Sequence, residues 1–137
     1  EEAIAIAERG LTLALPRAGL GAWLGPIEES RGRTREAFDA FLAAFAELPS
    51  LEMYKTLKRL AEPMWHKTRA QVMGVLKKSY SHQALAEVHL FEEEWDEAIK
   101  VAEKREVWYT VIAIVADGVL EHRPEWVIKS ASSRRSI

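Results

Sequence analysis

Apolar residues recur along this chain every three or four positions, a spacing that predicts helices almost throughout. In residues 34–48, Ala37, Phe38, Phe41, Leu42, Phe45 and Leu48 form one stripe, the face that an amphipathic helix buries. Thr34 is the expected N-cap of this helix and Pro49 its expected stop. Ser50 is placed to cap the next helix, where Leu51, Tyr54, Leu57 and Leu60 repeat at every third residue. Pro63 ends that helix, and Trp65, Thr68, Val72 and Leu76 mark the one after it. Ser79 or Ser81 then caps a helix carrying Leu85, Val88 and Phe91. After a break at residues 92–94, Ala98, Ile99 and Ala102 should face inward over residues 96–106. Residues 107–122 are apolar on most sides, through Trp108, Val111, Ile112, Val115, Val119 and Leu120, and predict the most buried helix. Pro124 opens a last helix, and residues 130–137 read as a polar, basic tail that frays.

The pattern amounts to about nine helices joined by short connections, which force neighbouring helices to run antiparallel. No alternating apolar and polar run lies between hairpin turns, so strands are not expected. No linker rich in glycine, serine or proline divides the chain. Residues 1–129 are therefore expected to form one helical domain and residues 130–137 a flexible basic tail. The opening Glu1-Glu2-Ala3-Ile4 enters an amphipathic helix partway, which leads to the expectation of a fragment of a longer protein.

Self-comparison sharpens the picture. Ala3, Ala7 and Gly10 return 34 residues later as Ala37, Phe41 and Ala44, each set within a Glu-Ala-apolar opening. A further copy, Trp95-Asp96-Glu97-Ala98-Ile99, lies 61 residues beyond the second and is off period. A stretch with Leu24-Gly25, Gly32, Glu36-Ala37-Phe38, Phe41, Ala44 and Pro49 resembles a tetratricopeptide repeat. In that family a small residue opens the second helix of each pair so that it packs closely on the first. Leu85-Ala86, Trp95 and Ala98 fit the same layout, whereas residues 50–79 fit it poorly. The resemblance implies an all-α fold of antiparallel helix pairs stacked as a tetratricopeptide-like right-handed solenoid.

A longer resemblance runs through Ala22-Trp23-Leu24-Gly25-Pro26-Ile27, Gly32-Arg33, Pro49-Ser50-Leu51-Glu52 and Trp95-Asp96-Glu97-Ala98-Ile99. These phrases are similar to the helical C-terminal part of bacterial SWIM zinc-finger proteins. That likeness implies a bacterial cytoplasmic protein whose zinc finger would lie upstream. The Cys-x-Cys and Cys-x-His pairs of such a finger do not occur in this chain, so no metal role is carried over.

Composition narrows the function classes. Nineteen basic against 21 acidic residues leave a formal charge of −2, which counts against direct nucleic-acid binding, since binders of phosphate backbones carry a basic excess. There is no cysteine, so disulfides, thiolate metal sites and cysteine nucleophiles are absent from the chain. The longest strongly apolar run, from Val111 to Ala116, is far short of the roughly 20 residues of a membrane span.

Candidate chemistry is sparse. His89 and Glu93 have the spacing of a metal pair, but further ligands would have to come from another helix, so His89 is read as packing in a helix seam and no metal is expected. Glu28-Glu29 and Glu92-Glu93-Glu94 read as solvated turns, not as acid–base pairs. No phosphate loop or serine-nucleophile motif occurs, so no catalytic residue or cofactor is assigned to this segment. Lys77, Lys78 and Tyr80 form the best candidate phosphate contact. Of the five tryptophans, Trp95 is assigned to the core, and Trp23 and Trp126 are candidate exposed anchors.

The resemblance to helical repeats implies a protein–protein interaction module whose concave groove holds a protein or peptide. In the repeat register, Gln83, Glu87 and Leu90 line that groove and Phe91 stands near its wall. The second function, an accessory to nucleic-acid binding, would act through Lys77, Lys78 and Tyr80 or through the upstream finger.

Overall fold

The computed structural model describes the backbone at residues 3–5 and 17–135, and side chains at residues 3–5 and 20–132. The described chain is all-α and contains no strand. Eight helices of 8–14 residues follow residue 17: α1 (Arg17–Ser30), α2 (Thr34–Glu47), α3 (Leu51–Ala61), α4 (Trp65–Lys78), α5 (His82–Phe91), α6 (Trp95–Ala102), α7 (Tyr109–Val119) and α8 (Pro124–Arg135). They divide between two compact units, Glu1–Tyr80 and Ser81–Ile137. The backbone of residues 130–135, expected as part of a tail, continues α8.

In the first unit α2 is the hub, packing against α1, α3 and α4. Ala37, Ala40, Phe41, Ala44 and Phe45 are its buried residues, two helical turns of one face. The expected stripe therefore holds at Ala37, Phe41 and Phe45 and shifts elsewhere. Phe38 and Leu42 are half-buried, Leu48 is exposed beyond the helix end, and the small Ala40 and Ala44 are buried in their place.

The reason lies on α1. A methyl group on Gly21 would overlap the carbonyl oxygen of Ala40, and one on Gly25 would stand 2.6 Å from Cζ of Phe41. Small residues on both helices let the backbones meet, and a larger side chain at positions 40 or 44 would hold them apart. Pro26 also lies inside α1. Its ring is exposed, as is Ala22, whose carbonyl loses its usual i+4 donor.

Capping residues explain where α3 and α5 begin. Ser50 accepts a hydrogen bond from the Met53 amide at 3.1 Å, and Ser81 accepts one from the Ala84 amide at 3.4 Å. Thr34 does not cap α2: it is the first helical residue, and Arg33 occupies the N-cap without a side-chain bond. In α3, Glu52 sits in the first turn and Lys58 and Arg59 in the last, the arrangement that complements the helix dipole. Tyr54 and Leu57 of α3 are fully buried, and the Tyr54 ring meets Trp65 of α4 edge-on, with centroids 5.3 Å apart.

In the second unit α5 packs against both α6 and α7, α6 also touches α7, and α8 rests on α7. Ala84, Leu85, Ala86 and Val88 of α5, Ala98, Val101 and Ala102 of α6, and Val111, Val115 and Val119 of α7 make the core. Residues 107–122 were expected to form the most buried helix, and they do not. The helix starts at Tyr109 and buries one valine stripe, while Trp108 is 80% exposed and Leu120 is 50% exposed. Away from that stripe, Tyr109, Ile112, Ala113 and Ala116 face α8 across a shallow recess. The helix expected over residues 96–106 ends at Ala102, and of its predicted inward residues Ala98 and Ala102 are buried and Ile99 is half-buried.

Two turns share one geometry. At the end of α1, the Arg33 amide bonds the Glu28 carbonyl at 2.9 Å and the Gly32 amide bonds the Glu29 carbonyl at 3.0 Å. At the end of α5, the Glu94 amide bonds the His89 carbonyl at 2.8 Å and the Glu93 amide bonds the Leu90 carbonyl at 3.1 Å. Both are Schellman closures, which need a left-handed residue just past the helix. Gly32 fills that place at φ 74° and Glu93 fills the equivalent one at φ 60°.

Of the alanines expected to lie at close crossings, Ala37 and Ala98 are fully buried but Ala3 is exposed. Ala7 and Gly10, the rest of the first copy in the 34-residue comparison, lie outside the described residues.

Two outcomes follow for urea denaturation. Gly→Ala inside a helix normally stabilises by about 1 kcal/mol, and Gly74→Ala in α4, with nothing within 4 Å of the new methyl, should do so. Gly21→Ala should instead destabilise by about 1–3 kcal/mol, because the Ala40 backbone has to move. Equal signs for the two variants would refute the close crossing. Glu93→Gly should stabilise by about 0.5–1 kcal/mol through relief of the left-handed backbone, read as a rise in the denaturation midpoint.

Candidate interaction surfaces

Each of the two turns buries one polar side chain. Glu28 is fully buried and Arg33 Nε lies 2.9 Å from its Oε2. His89 is 6% exposed, with Nδ1 2.9 Å from Oε1 of Glu94. In both cases the residue five positions on supplies the opposite charge type and also donates its amide to the buried residue's carbonyl. The two devices lie 61 positions apart with the signs exchanged: acid inside and base outside in the first unit, imidazole inside and acid outside in the second. His89 therefore sits in a helix seam, and its carboxylate partner is Glu94, not the Glu93 that the metal spacing singled out. Among the described residues no group of three or more metal-ligating side chains comes together.

Two arginine clamps tie further elements into each unit. Arg59 of α3 grips Glu29 of α1 through both of its terminal nitrogens, the second at 3.2 Å. This hydrogen bonding holds the Glu29 carboxyl below the usual carboxylate range, against a smaller opposing effect of burial. Arg123, just before α8, reaches Asp96 in the first turn of α6 with Nε at 3.0 Å. The same cause lowers the Asp96 carboxyl. Beside that clamp the ring of Trp95 stacks on His122, with centroids 4.2 Å apart and planes 10° from parallel. Trp95 is half-buried, as a core role requires only in part. Trp23 is 48% exposed and Trp126 is half-buried.

The predicted groove residues of α5 have different fates. Gln83 is exposed, Glu87 is half-buried and Phe91 is 41% exposed, so all three present surface. Leu90 does not stand free in a groove. Its δ carbons occupy the space over Gly118 of α7, where a methyl group would lie 2.7 Å from Cδ2. The leucine is part of the α5–α7 packing. Nothing local in the sequence marks Gly118, because its partner across the crossing lies 28 residues away.

Lys77, Lys78 and Tyr80 gather at the end of α4, all exposed, with Tyr80 at 84% exposure and φ 58°. The last carbonyls of a helix carry partial negative charge, which the two lysines complement. A phosphate placed there would compete with those carbonyls for the same cations. The first unit has 12 basic and 10 acidic residues and the second 7 and 11, so such charge as favours phosphate lies on the first.

The sequence did not point to one concavity of the first unit. A groove of about 580 Å³ opens in the first unit between α2, the end of α3 and α4. Phe38, Leu60, Ala61 and Met64 supply its apolar surface, and Thr34, Arg35, Asp39, Thr68 and Gln71 its polar margin. Phe38 was read as a core residue of the α2 stripe; it is half-buried because it faces this opening. In the second unit a recess of about 120 Å³ lies between α7 and α8, lined in part by Tyr109, Ile112 and Val127.

No helix among the described residues is long and apolar enough to cross a membrane. No family model, no curated protein and no solved structure matches the chain.

The Arg59–Glu29 clamp makes stability depend on acid. Glu29 has its carboxyl lowered in the folded state, so its contribution is present above the unfolded carboxylate range and is lost as pH falls through the folded value. Screened pairs of this kind contribute about 0.2–1 kcal/mol. Urea midpoints for Glu29→Gln should lie below wild type at neutral pH and converge with it on acidification to about pH 3. A gap that stays constant with pH would disprove the contribution.

Proposed function

We propose that this chain is a non-catalytic interaction module of the tetratricopeptide-like kind, in which helix pairs stack as a right-handed solenoid and a protein or peptide docks against α5. The observation that carries this reading is the packing in the second unit. There α5 meets both the helix that follows it and the next one on, with Leu90 seated over Gly118 and with Ala86 and Ala98 fully buried. The recurrence of one turn geometry in both units supports it as well. In a stack of this kind the first helix of each pair lines the concave side. Gln83, Glu87 and Phe91 are the residues that α5 offers there, and Leu90 serves the stack itself. Under the same proposal the module belongs to a larger bacterial cytoplasmic protein, as its resemblance to the helical part of SWIM zinc-finger proteins implies.

An accessory role at nucleic acid is a second reading, favoured by the exposure of Tyr80 beside Lys77 and Lys78. Stacking on the tyrosine and charge from the lysines would hold a single strand. A mobility-shift titration with single-stranded oligonucleotide at about 50 mM salt separates the readings, since electrostatic binding is strongest at low salt.

The test of the main reading starts from a displayed library of random peptides. Peptides enriched on the purified chain should lose about tenfold or more in affinity for the Glu87→Arg/Phe91→Ala variant, the scale of a contact residue. The far-UV circular dichroism of the variant should match wild type. Unchanged affinity in the folded variant, or no enrichment, would sink the α5 surface.

A further inference from the structure

We propose that α8 is a detachable strap, which leaves α7 as a unit while α5, α6 and α7 stay folded, a movement separate from any docking at α5. No described side chain of α8 is buried: Trp126, Val127 and Ser130 are half-buried, and Ile128 is 67% exposed. The three helices before it each bury a set of side chains. A segment with so little buried surface opens locally at a free energy well below that of global unfolding.

The seam beneath α8 is loosely filled. A recess of about 120 Å³ remains between Tyr109, Ile112, Ala113 and Ala116 of α7 and Val127, Ser130 and Ala131 of α8. Side chains around an unfilled space forgo contacts that a closed seam would make. α8 is also a poor helix by itself. It has 12 residues, a length that is marginal in water even for good helix formers. Val127, Ile128, Ser130 and Ser132 are weaker ones. Undocking therefore melts it, and the four α7 residues at the recess lose their cover.

A latch stands at the N-terminal end of the strap. Arg123 reaches Asp96 with Nε at 3.0 Å, and His122 stacks on Trp95 with centroids 4.2 Å apart. Both partners belong to the first turn of α6, so α6 holds the start of α8 while α7 supports its length. The Asp96 and Arg123 side chains are 70% and 41% exposed, and water competes for a pair so placed. Such a latch biases the closed state without locking it.

Amide hydrogen exchange of the full chain, followed by NMR, distinguishes the two states. In wild type the amides of residues 128–132 should share one opening constant and be protected at least about tenfold less than those of Val115 and Val119. Arg123→Ala should raise that constant about two- to fivefold, the scale of an exposed ion pair. Ala131→Leu, which extends into the recess, should lower it about threefold or more. Val101→Ala, in the α6 core, should speed exchange in α7 about tenfold and leave the opening constant of α8 unchanged. Equal protection of α7 and α8, or α8 exchange that rises together with α7 in Val101→Ala, would overturn the strap. So would protection that decays gradually toward Ser132 and ignores Arg123→Ala, because a fixed helix would then be fraying from its far end.

Discussion

Close approach of helix backbones is the constraint on which this structure depends. Gly21 and Gly25 of α1 lie against Ala40, Ala44 and the Phe41 ring, and at Gly21 there is no space for even one carbon between the backbones. Burial then follows an order that residue size alone does not give: Ala37, Ala40 and Ala44 are buried with Phe45, and the larger Phe38 and Leu42 are pushed to the flank. That displacement creates the groove beside α2. The same rule works more gently in the second unit, where Gly118 admits the end of a flexible leucine instead of a carbonyl group. A leucine can change rotamer to make room, but a backbone carbonyl inside a helix cannot move without its neighbours.

The helix turns add a second constraint, electrostatic in nature. A buried carboxylate or imidazole loses water and needs a compensating partner. In both units that partner is the residue whose amide already closes the helix. Backbone closure and charge pairing thus hold the same five-residue segment. The arginine clamps at Glu29 and Asp96 differ from these devices. They are more exposed, they bring in helices distant in sequence, and their contribution falls off with salt and acid.

Helix existence was legible in the sequence because the three-to-four spacing is a direct image of the buried face. Ser50, Ser81, Pro63 and Pro124 marked ends and beginnings through local chemistry that needs no tertiary partner. What was not legible depended on which helix lies across from a residue. Trp108, Tyr109 and Leu120 look like core residues by type, and they are exposed because they stand at the ends of α7, off its Val111–Val115–Val119 stripe. Leu90 looked like a groove residue because Gly118, 28 positions away and invisible to local pattern, leaves the space it fills. The groove itself belongs to no motif. It arises from three helices whose facing residues are spread over 38 positions, from Thr34 to Gln71.

The exchanged signs at Glu28–Arg33 and His89–Glu94 restrict how the two halves of the molecule could ever trade parts. A crossover that moved only the inner member of one pair would set carboxylate against carboxylate, or leave imidazole beside guanidinium with no acceptor, where the inner side chain is buried. An exchange that keeps the pairing therefore has to move both members together. For anyone grafting these helices onto another scaffold, the smallest transferable piece is the complete segment from 28 to 33 or from 89 to 94.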